Sequence, residues 1–348
     1  MLKMWKSLPL MTGVQNKKRA NLRDVAKAAG VSVATVSRVL NAPGAVSPAT
    51  RERVEAAIRT LRFVPSAAAR AINSGRTRFV GALVPTLDNA IFASFLAALE
   101  HKLGEYQLSL VVATTHNDPA IEAEKAKTLV DIGAEGLIVS GITHDPALDD
   151  LIERCHLPAI ATSFHAPDYY LPTVGYDNAA ATAIALDFLA GQGHRDIAVV
   201  HGPLANNDRT RARLDGLKQS ASAVDLRFFE TEIAISGGCQ AAKSILAAPD
   251  PVSAILCCSD VLALGVLFEL QRKAIRVPDD LSLMGVDDLA ASAHAEPGLT
   301  TVHLPVSRMG EATAAAIASW IETQERPEPV LLEPERVIRG STRSYSAG

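Results

Sequence analysis

The side chains with the clearest chemical meaning lie in residues 21–41. Small residues and one guanidinium occupy the positions where a helix there would face outward: Val33, Ala34, Ser37 and Arg38. Small side chains let a helix lie close in a DNA major groove, and an arginine can donate two hydrogen bonds to a guanine edge. These residue types predict a helix that reads DNA. A surface helical hairpin without such a role is the alternative.

Two short helices separated by a tight turn must position these side chains. Apolar residues recur at helical spacing on both sides of the turn: Val25, Ala26 and Ala29 before it, and Val36, Val39 and Leu40 after it. Gly30 can adopt the positive φ that ends a helix, and the hydroxyl of Ser32 can cap the next one. The pattern predicts a helix-turn-helix.

Charge divides the chain into two unlike parts. The formal net charge is −4, but residues 1–78 carry 15 basic and 3 acidic side chains, a net of +12, and leave −16 for the remainder. A basic head on an acidic body is the electrostatic pattern of a protein that binds a phosphate polymer through one domain. A solvated charge run is the alternative, but the basic residues are spread over predicted helices.

A third helix and a possible hinge follow. Ser47 is the predicted N-cap of that helix, and Val64-Pro65 ends it, because the residue before a proline is driven towards extended conformations. Residues 66–75 could form about two helical turns when a partner holds them, and Ile72 could insert between base pairs from the minor groove. An alanine-rich linker without contacts is the alternative.

The remainder of the chain alternates short apolar strands with helical patterns. The predicted strands cover residues 79–85, 108–113, 136–140, 159–162, 197–201, 254–258 and 281–286. This alternation predicts an α/β body with parallel sheets covered by helices on both faces, long enough for two doubly wound subdomains. A ligand would bind between them, outside the carboxyl ends of the strands.

Polar side chains follow several of these strands and form a candidate ligand site. They are Asp88 and Asn89, Arg209 and Arg213, Ser259 and Asp260, and Asp287. Carboxylate, amide and guanidinium groups suit a hydroxylated or anionic small molecule. Ordinary surface charge is the alternative for each.

Three motifs together resemble the lactose-repressor (LacI/GalR) family of bacterial transcription regulators. They are DVAKAAGVS at 24–32, TVSRVLN at 35–41 and VPSAAAR at 64–70. The resemblance implies an N-terminal three-helix helix-turn-helix head plus hinge helix, then two doubly wound parallel-sheet subdomains of periplasmic-binding-protein type. It also implies a homodimer that binds double-stranded operator DNA, and a repressor of a catabolic operon.

The resemblance assigns roles to individual residues. Base-reading positions correspond to Val33, Ala34 and Arg38, and phosphate-contacting positions to Ser32, Thr35, Ser37, Asn41, Ser47 and Thr50. The DNA-binding positions of the hinge are Ser66, Ala69, Arg70 and Ile72, where Ile72 replaces the usual leucine and makes the inserted side chain stiffer.

The resemblance also marks the ligand site. Arg213 and Asp287 match effector-binding positions, and Phe92 matches an aromatic residue that packs on the ligand, with core packing as its alternative. Ser259 stands where many members have asparagine, and Ser163 where sugar-binding members often have aspartate. Both departures count against a typical sugar pose, and the two nearby arginines would accommodate a carboxylate or phosphate. The expected effector is therefore a sugar or a sugar acid.

The sequence supports the following domain map. We expect a flexible extension at 1–20 (or a true start at Met11), the head at 21–65, the hinge helix and linker at 66–78, and an effector-binding and dimerisation core at 79–348. Within the core, the N-subdomain covers about 79–174 and 305–332, and the C-subdomain about 175–304 and 333–348. The chain lacks the extra leucine-rich helix of tetrameric members, so a dimer is expected.

Several other classes of protein are disfavoured. The four cysteines lack metal-site spacing, no apolar run spans a membrane, and no export signal is evident, so we expect a reduced, cytoplasmic protein without cofactor or metal. A transport solute-binding protein would share the two-lobed body but not the basic head. An enzyme using Asp260 and Asp287 as an acid/base pair would lack any nucleophile or cofactor motif.

Overall fold

A computed structural model describes residues 20–64, 76–221 and 224–346 of the protein. Most of the expected N-terminal extension and the hinge positions Ser66, Ala69, Arg70 and Ile72 lie outside the described residues. The chain divides into two units, and the boundary along the chain falls between Thr77 and Arg78.

Three helices and one 3₁₀ turn form the head: α1 (Leu22–Ala29), α2 (Val33–Asn41), the turn at Pro43–Ala45, and α3 (Pro48–Leu61). Asn21 Oδ1 accepts from the backbone N–H of Asp24, and the Asp24 carboxylate accepts from the N–H of Asn21, so α1 begins with a capping box. Gly30 ends it with φ 63°, as predicted. The helices close over a small apolar core of Val25, Ala26, Ala29, Val36, Val39, Val54, Ala57 and Phe63.

The first sheet and the helices that cover it form what we call the N-lobe. Its strands are β1 (Phe79–Val84), β2 (Ser109–Thr114), β3 (Ala134–Ser140), β4 (Ala159–Thr162), β5 (Thr173–Gly175) and β11 (Val330–Leu331), all parallel, in the order β11-β5-β4-β3-β1-β2. Its helices are α4 (Ala90–Glu105), α5 (Pro119–Asp131), α6 (Pro146–Cys155) and α12 (Val306–Thr323). A side chain at Gly310 of α12 would lie 2.7 Å from the Phe95 carbonyl oxygen, so this glycine permits the close packing of α12 on α4.

The second sheet and its helices form the C-lobe. Its strands are β6 (Asp196–His201), β7 (Asp225–Glu230), β8 (Ala254–Cys257) and β9 (Ser282–Met284), parallel in the order β7-β6-β8-β9. Its helices are α7 (Asn178–Gly191), α8 (Asp208–Ser220), α9 (Ile235–Ala247), α10 (Asp260–Arg272) and α11 (Ala290–His294). β6, β8 and β9 are largely buried, and β6 and β8 are rich in branched apolar residues, as expected for parallel strands covered on both faces, whereas the edge strand β7 is partly exposed.

The chain passes between the lobes after β5, after β10 (Thr301–His303) and before β12 (Glu335–Val337). β10 and β12 pair antiparallel beside the two parallel sheets. The predicted α/β class and the two doubly wound subdomains are confirmed. None of the helices in the described ranges is both long and apolar enough to cross a bilayer.

Five strands of the described residues were not predicted: β5, β7 and β11 of the lobe sheets, and the pair β10 and β12. β7 carries charged residues among its apolar ones because it forms one edge of the C-lobe sheet, where a continuous apolar run is not required. β5 is only three residues long, too short for a periodic signal.

Candidate functional site

The outward face of α2 is the candidate DNA-contacting surface of the head. Val33 is 41% exposed, Ala34 and Arg38 are also exposed, and Val36 and Val39 of the same helix are buried in the head core. The helix therefore presents one guanidinium and small apolar side chains on its outer face.

Ser32 holds the start of this helix in place. Its Oγ accepts from the backbone N–H of Thr35 at 3.1 Å and shares a 2.9 Å hydrogen bond with Thr35 Oγ1. Capping of this kind leaves fewer unpaired N–H groups at the helix start.

The other predicted phosphate-contacting positions lie at element ends or partly exposed. Ser37 is partly exposed on α2, and Asn41 is the last residue of that helix. Ser47 precedes α3 as predicted, but its hydroxyl donates to Thr50 Oγ1 at 3.0 Å and makes no capping bond to the backbone. Pro48 follows it, and its ring removes one of the N–H groups that a cap would satisfy.

A cavity of about 790 Å³ lies between the N-lobe and the C-lobe, at the carboxyl ends of both parallel sheets. Eight of the predicted ligand-site residues line it: Asp88, Asn89, Phe92, Ser163, Arg209, Arg213, Ser259 and Asp287. A volume of this size is ample for a small ligand.

Asp287 lies at the floor of the cavity and is 4% exposed. Its backbone has φ 131°, a conformation uncommon outside glycine, which directs the segment after β9 into the cleft. Burial raises the pKa of the Asp287 carboxyl to about 7, against the opposing effects of the Arg213 charge and of the Ser259 hydrogen bond. A carboxyl of this kind changes its charge near neutral pH.

Arg213 of α8 faces Asp287 across the floor, with Nη1 3.8 Å from Asp287 Oδ1. Its Nε donates to Asn178 Oδ1 at 3.0 Å, and Nη1 also donates to the Cys258 carbonyl oxygen. Cys258 lines the cavity as a neutral thiol, because burial raises the pKa of this group to about 12. The Arg213 guanidinium is therefore held by partners from three segments of the C-lobe.

Arg209 lies one helical turn before Arg213 and reaches the N-lobe. Its Nη2 donates to Asn117 Oδ1 at 3.0 Å, and Nη1 donates to Ser140 Oγ at 3.3 Å. Asp208 accepts from the backbone N–H of Ile142, also in the N-lobe. The first turn of α8 thus connects the two lobes at the cleft.

Asp260 is the one predicted ligand-site residue that does not line the cavity. It is fully buried, and its carboxylate accepts from Ser292 Oγ and Thr301 Oγ1, both at 2.6 Å, and from the backbone N–H of Leu289 at 3.0 Å. Burial raises its pKa despite these donors. The carboxylate joins α10 to α11 and β10, so the expected ligand contact is corrected to a structural role.

Apolar side chains form the walls of the cavity. Phe92, Ile91 and Met309 contribute from the N-lobe, and Val261 and Leu289 contribute from the C-lobe. Met309 belongs to α12, far along the chain from the other N-lobe residues, and no local motif could have indicated it. A planar or ring-shaped ligand would find an apolar surface at Phe92 and polar partners at the floor.

Ser163 has an unusual environment. Its backbone adopts φ 64°, its N–H donates to Met309 Sδ at 3.2 Å, and its carbonyl oxygen accepts from Asn178 Nδ2 at 3.0 Å. Two residues at the passage from the N-lobe to the C-lobe were not predicted as part of the site. Tyr176 lines the cavity, and Asn178 binds the Ser163 carbonyl oxygen from beside it.

No group of three metal-ligating side chains suitable for an ion occurs within residues 20–64, 76–221 and 224–346. His194 and His201 are buried and hydrogen-bonded to protein groups, and the nearly buried His144 side chain lies against Glu122 and the Gly141 carbonyl oxygen.

Comparison with known proteins agrees with this architecture. A model described as bacterial regulatory proteins, lacI family, matches residues 21–66, and one described as a periplasmic binding protein-like domain matches residues 186–342. The HTH-type transcriptional repressor CytR of Escherichia coli (strain K12) is 29% identical over 345 residues, which cover 96% of this chain and 99% of the relative. The HTH-type transcriptional repressor PurR of Pasteurella multocida is 30% identical over 337 residues, which cover 93% and 99%.

Solved structures of lacI-family regulators share the fold of this chain. The lac repressor dimer bound to operator and the anti-inducer ONPF superposes with a TM-score of 0.83 at 25% identity, covering 94% of this chain and 100% of that one. The relatives named above are transcriptional repressors and not enzymes, which argues against an acid/base role for Asp287.

Proposed function

Because the chain belongs to the lacI family of bacterial regulatory proteins, a family of DNA-binding transcriptional regulators, we propose that it represses a catabolic operon under the control of a sugar-like effector. One observation carries the proposal: the cavity between the lobes combines an apolar wall at Phe92 with hydrogen-bonding groups at Arg213 and Asp287. A small hydroxylated ring needs this combination.

The charges of the cavity favour a neutral effector over an anionic one. Asp287 lies 3.8 Å from the Arg213 guanidinium, and Asp208 lies 3.6 Å from that of Arg209, so each positive charge already faces an acidic side chain. An effector carboxylate would have to displace these partners or bear their repulsion. A neutral sugar is therefore our first candidate. A sugar acid is the second, because both guanidinium groups border the cavity and could re-pair with it.

We propose that the chain acts as a homodimer whose two heads bind a pseudo-palindromic operator. The lac repressor, to which 94% of the chain is similar, is a dimer in its complex with operator. In this proposal Ser66, Ala69, Arg70 and Ile72 contact the minor groove between the heads. Effector binding would change the relative position of the lobes and so the affinity for DNA, with a coupling of about 1–3 kcal/mol.

The DNA-binding half of the proposal is tested by selection of duplexes from a random library with the full chain. We expect enriched sequences with two related half-sites in opposite orientation, bound with an affinity that falls steeply as salt increases. Enrichment of a single half-site without symmetry would contradict the dimer. No enrichment at all would contradict sequence-specific binding.

The effector half is tested by a thermal-shift screen of the full chain. The panel contains matched neutral and acidic sugars, such as D-galactose with D-galacturonate and D-glucose with D-glucuronate, together with purines. A ligand that binds only the folded protein raises the melting temperature, by an amount that grows with the logarithm of the ratio of its concentration to its Kd. We expect the neutral member of a pair to give the larger shift. A larger shift from the acidic member would favour the second candidate.

A further inference from the structure

Asn178 is a buried amide at the junction of the two lobes. It is the first residue of α7, directly after the chain leaves β5 of the N-lobe, and it is 1% exposed. Sequence reasoning gave it no role, and it is not among the predicted ligand contacts.

The two ends of the Asn178 side chain bind different lobes. Nδ2 donates to the carbonyl oxygen of Ser163 at 3.0 Å, and Oδ1 accepts from Nε of Arg213, also at 3.0 Å. Only a side chain with both a donor and an acceptor can make this pair of bonds, because the Ser163 carbonyl cannot donate and the guanidinium cannot accept. The chemistry of the two partners fixes the orientation of the amide.

We propose that Asn178 is a positioning residue that aims Arg213 at the cavity floor and ties the guanidinium to the N-lobe, so that Arg213 orientation and lobe position change together. The inference deepens the proposed function, since it concerns the same ligand cavity. It concerns a residue that reaches the ligand only through Arg213.

The surroundings support this role. Without Asn178 the partly buried Nε–H of Arg213 would lose a charge-assisted hydrogen bond. The guanidinium would then be held from its Nη1 side, by the Cys258 carbonyl and Asp287. The Ser163 carbonyl would lose its donor at a point where the backbone already has φ 64°. One substitution would therefore loosen a C-lobe ligand contact and an N-lobe turn.

The positioning half of the inference is tested without any effector, by NMR of the full chain with ¹⁵N-labelled arginine. The Nε–H resonance of Arg213, assigned by its absence in Arg213→Lys, should exchange slowly with water in the wild type. We expect Asn178→Ala to speed this exchange about tenfold or more, and Asn178→Asp to keep it slow, because a carboxylate still accepts from Nε. Unchanged exchange in Asn178→Ala would overturn the positioning role.

The coupling half is tested by hydrogen exchange at the backbone N–H of Ile142, which donates to Asp208 across the cleft. Both Asn178→Ala and Asn178→Asp remove the donor to Ser163, so both should accelerate Ile142 exchange about tenfold. The control is Thr182→Val, one turn further along α7, which removes a 2.7 Å hydrogen bond to the Arg213 carbonyl oxygen without touching the guanidinium. Thr182→Val should lower the stability of the protein but leave the exchange of Arg213 Nε–H and of the Ile142 N–H unchanged.

Equal Ile142 exchange in the wild type and the two Asn178 variants would overturn the coupling. Equal acceleration in Thr182→Val would also overturn it, because the effect would then reflect general loosening of α7 and α8. Neither exchange measurement uses a ligand. A thermal-shift screen in which no sugar binds would therefore contradict the proposed effector but not the role of Asn178, which the exchange rates test separately.

Discussion

The hydroxyl of Ser259 donates a 2.8 Å hydrogen bond to Oδ2 of Asp287 and so joins the ends of β8 and β9 at the cavity floor. Oδ1 of the same carboxyl group faces Arg213. A single buried carboxyl group thus meets a neutral donor on one oxygen and a cation near the other. Its protonation state links the ligand site to the stability of the C-lobe.

Asp287→Asn should make folding stability less dependent on pH. The pKa of Asp287 is raised to about 7 in the folded protein from an ordinary value of 3.8, so the folded state holds a proton that the unfolded state releases. Stability from this group is therefore full below pH 4 and is lost as the pH rises to 7. Asparagine mimics the protonated form and should raise the free energy of unfolding by about 2–4 kcal/mol at pH 8, with little effect at pH 4. Urea unfolding at both pH values measures this, and equal differences at the two would contradict it.

His194 should destabilise the protein at acidic pH. Burial lowers the pKa of this imidazole, whose Nδ1 lies 2.9 Å from Ser253 Oγ and whose Nε2 lies 3.1 Å from the Arg343 carbonyl oxygen. A histidine with a lowered folded pKa contributes stability that is present above its unfolded pKa of about 6.5 and is lost as the pH falls below it.

The test is the melting temperature between pH 7.5 and pH 5. His194→Gln should start less stable than the wild type at pH 7.5 but lose less stability on acidification. His294→Gln, at an exposed site on α11, is the control and should follow the wild type. A parallel decline in all three proteins would argue against His194 as the titrating group.

Arg38→Ala should relax the base preference of the head at one position of each half-site. Arg38 is exposed on α2, and a bidentate arginine–guanine contact contributes about 1–3 kcal/mol to discrimination. Fluorescence anisotropy with the selected duplex and its single-base variants measures the change in Kd. Arg308→Ala, an exposed arginine of the N-lobe, should leave every Kd unchanged. An equal loss on all sequences would make Arg38 a phosphate contact.

Gly238→Ala should destabilise the C-lobe by about 1–3 kcal/mol. A side chain at Gly238 of α9 would collide with the Leu262 carbonyl oxygen and lie 2.9 Å from Gly265 Cα, where α9 and α10 pack most closely. Backbone atoms cannot move aside as a flexible side chain can.

Gly104→Ala is the matched control for this substitution. It also lies in a helix, but a side chain there would meet nothing within 4 Å, so the change should be neutral or stabilise by up to about 1 kcal/mol. Chemical denaturation of both variants gives the comparison, and equal effects would show that crowding between the helices is not the cause.

The head could be predicted closely because its signals are local. The Gly30 turn, the Ser32 cap and the apolar stripes of α1 and α2 all act within a few residues along the chain. The same holds for the strong strands of the lobes, whose apolar runs are continuous. β7 was not predicted because charged residues interrupt its apolar ones, a composition that an edge position in the sheet permits.

The ligand cavity was predicted at the level of strand ends but not of individual contacts. Ser259 and Asp260 are neighbours in the chain, yet only Ser259 lines the cavity. The Asp260 carboxylate is buried and accepts hydrogen bonds from the hydroxyls of Ser292 and Thr301. Asn178 carries no motif of its own. Its role follows from Ser163 and Arg213, which lie on either side of it in the chain and meet only in the folded core.

The sequence by itself determined the helix-turn-helix, the basic head on an acidic body and the parallel α/β lobes, because caps, periodicity and charge are properties of neighbouring residues. Only the tertiary structure decided which polar side chains share the cavity and which are buried beneath it. The physical reason is that the direction of a side chain at the end of a strand depends on its hydrogen-bond partners. Those partners come from segments far apart in the chain: Arg209, for example, donates to Asn117.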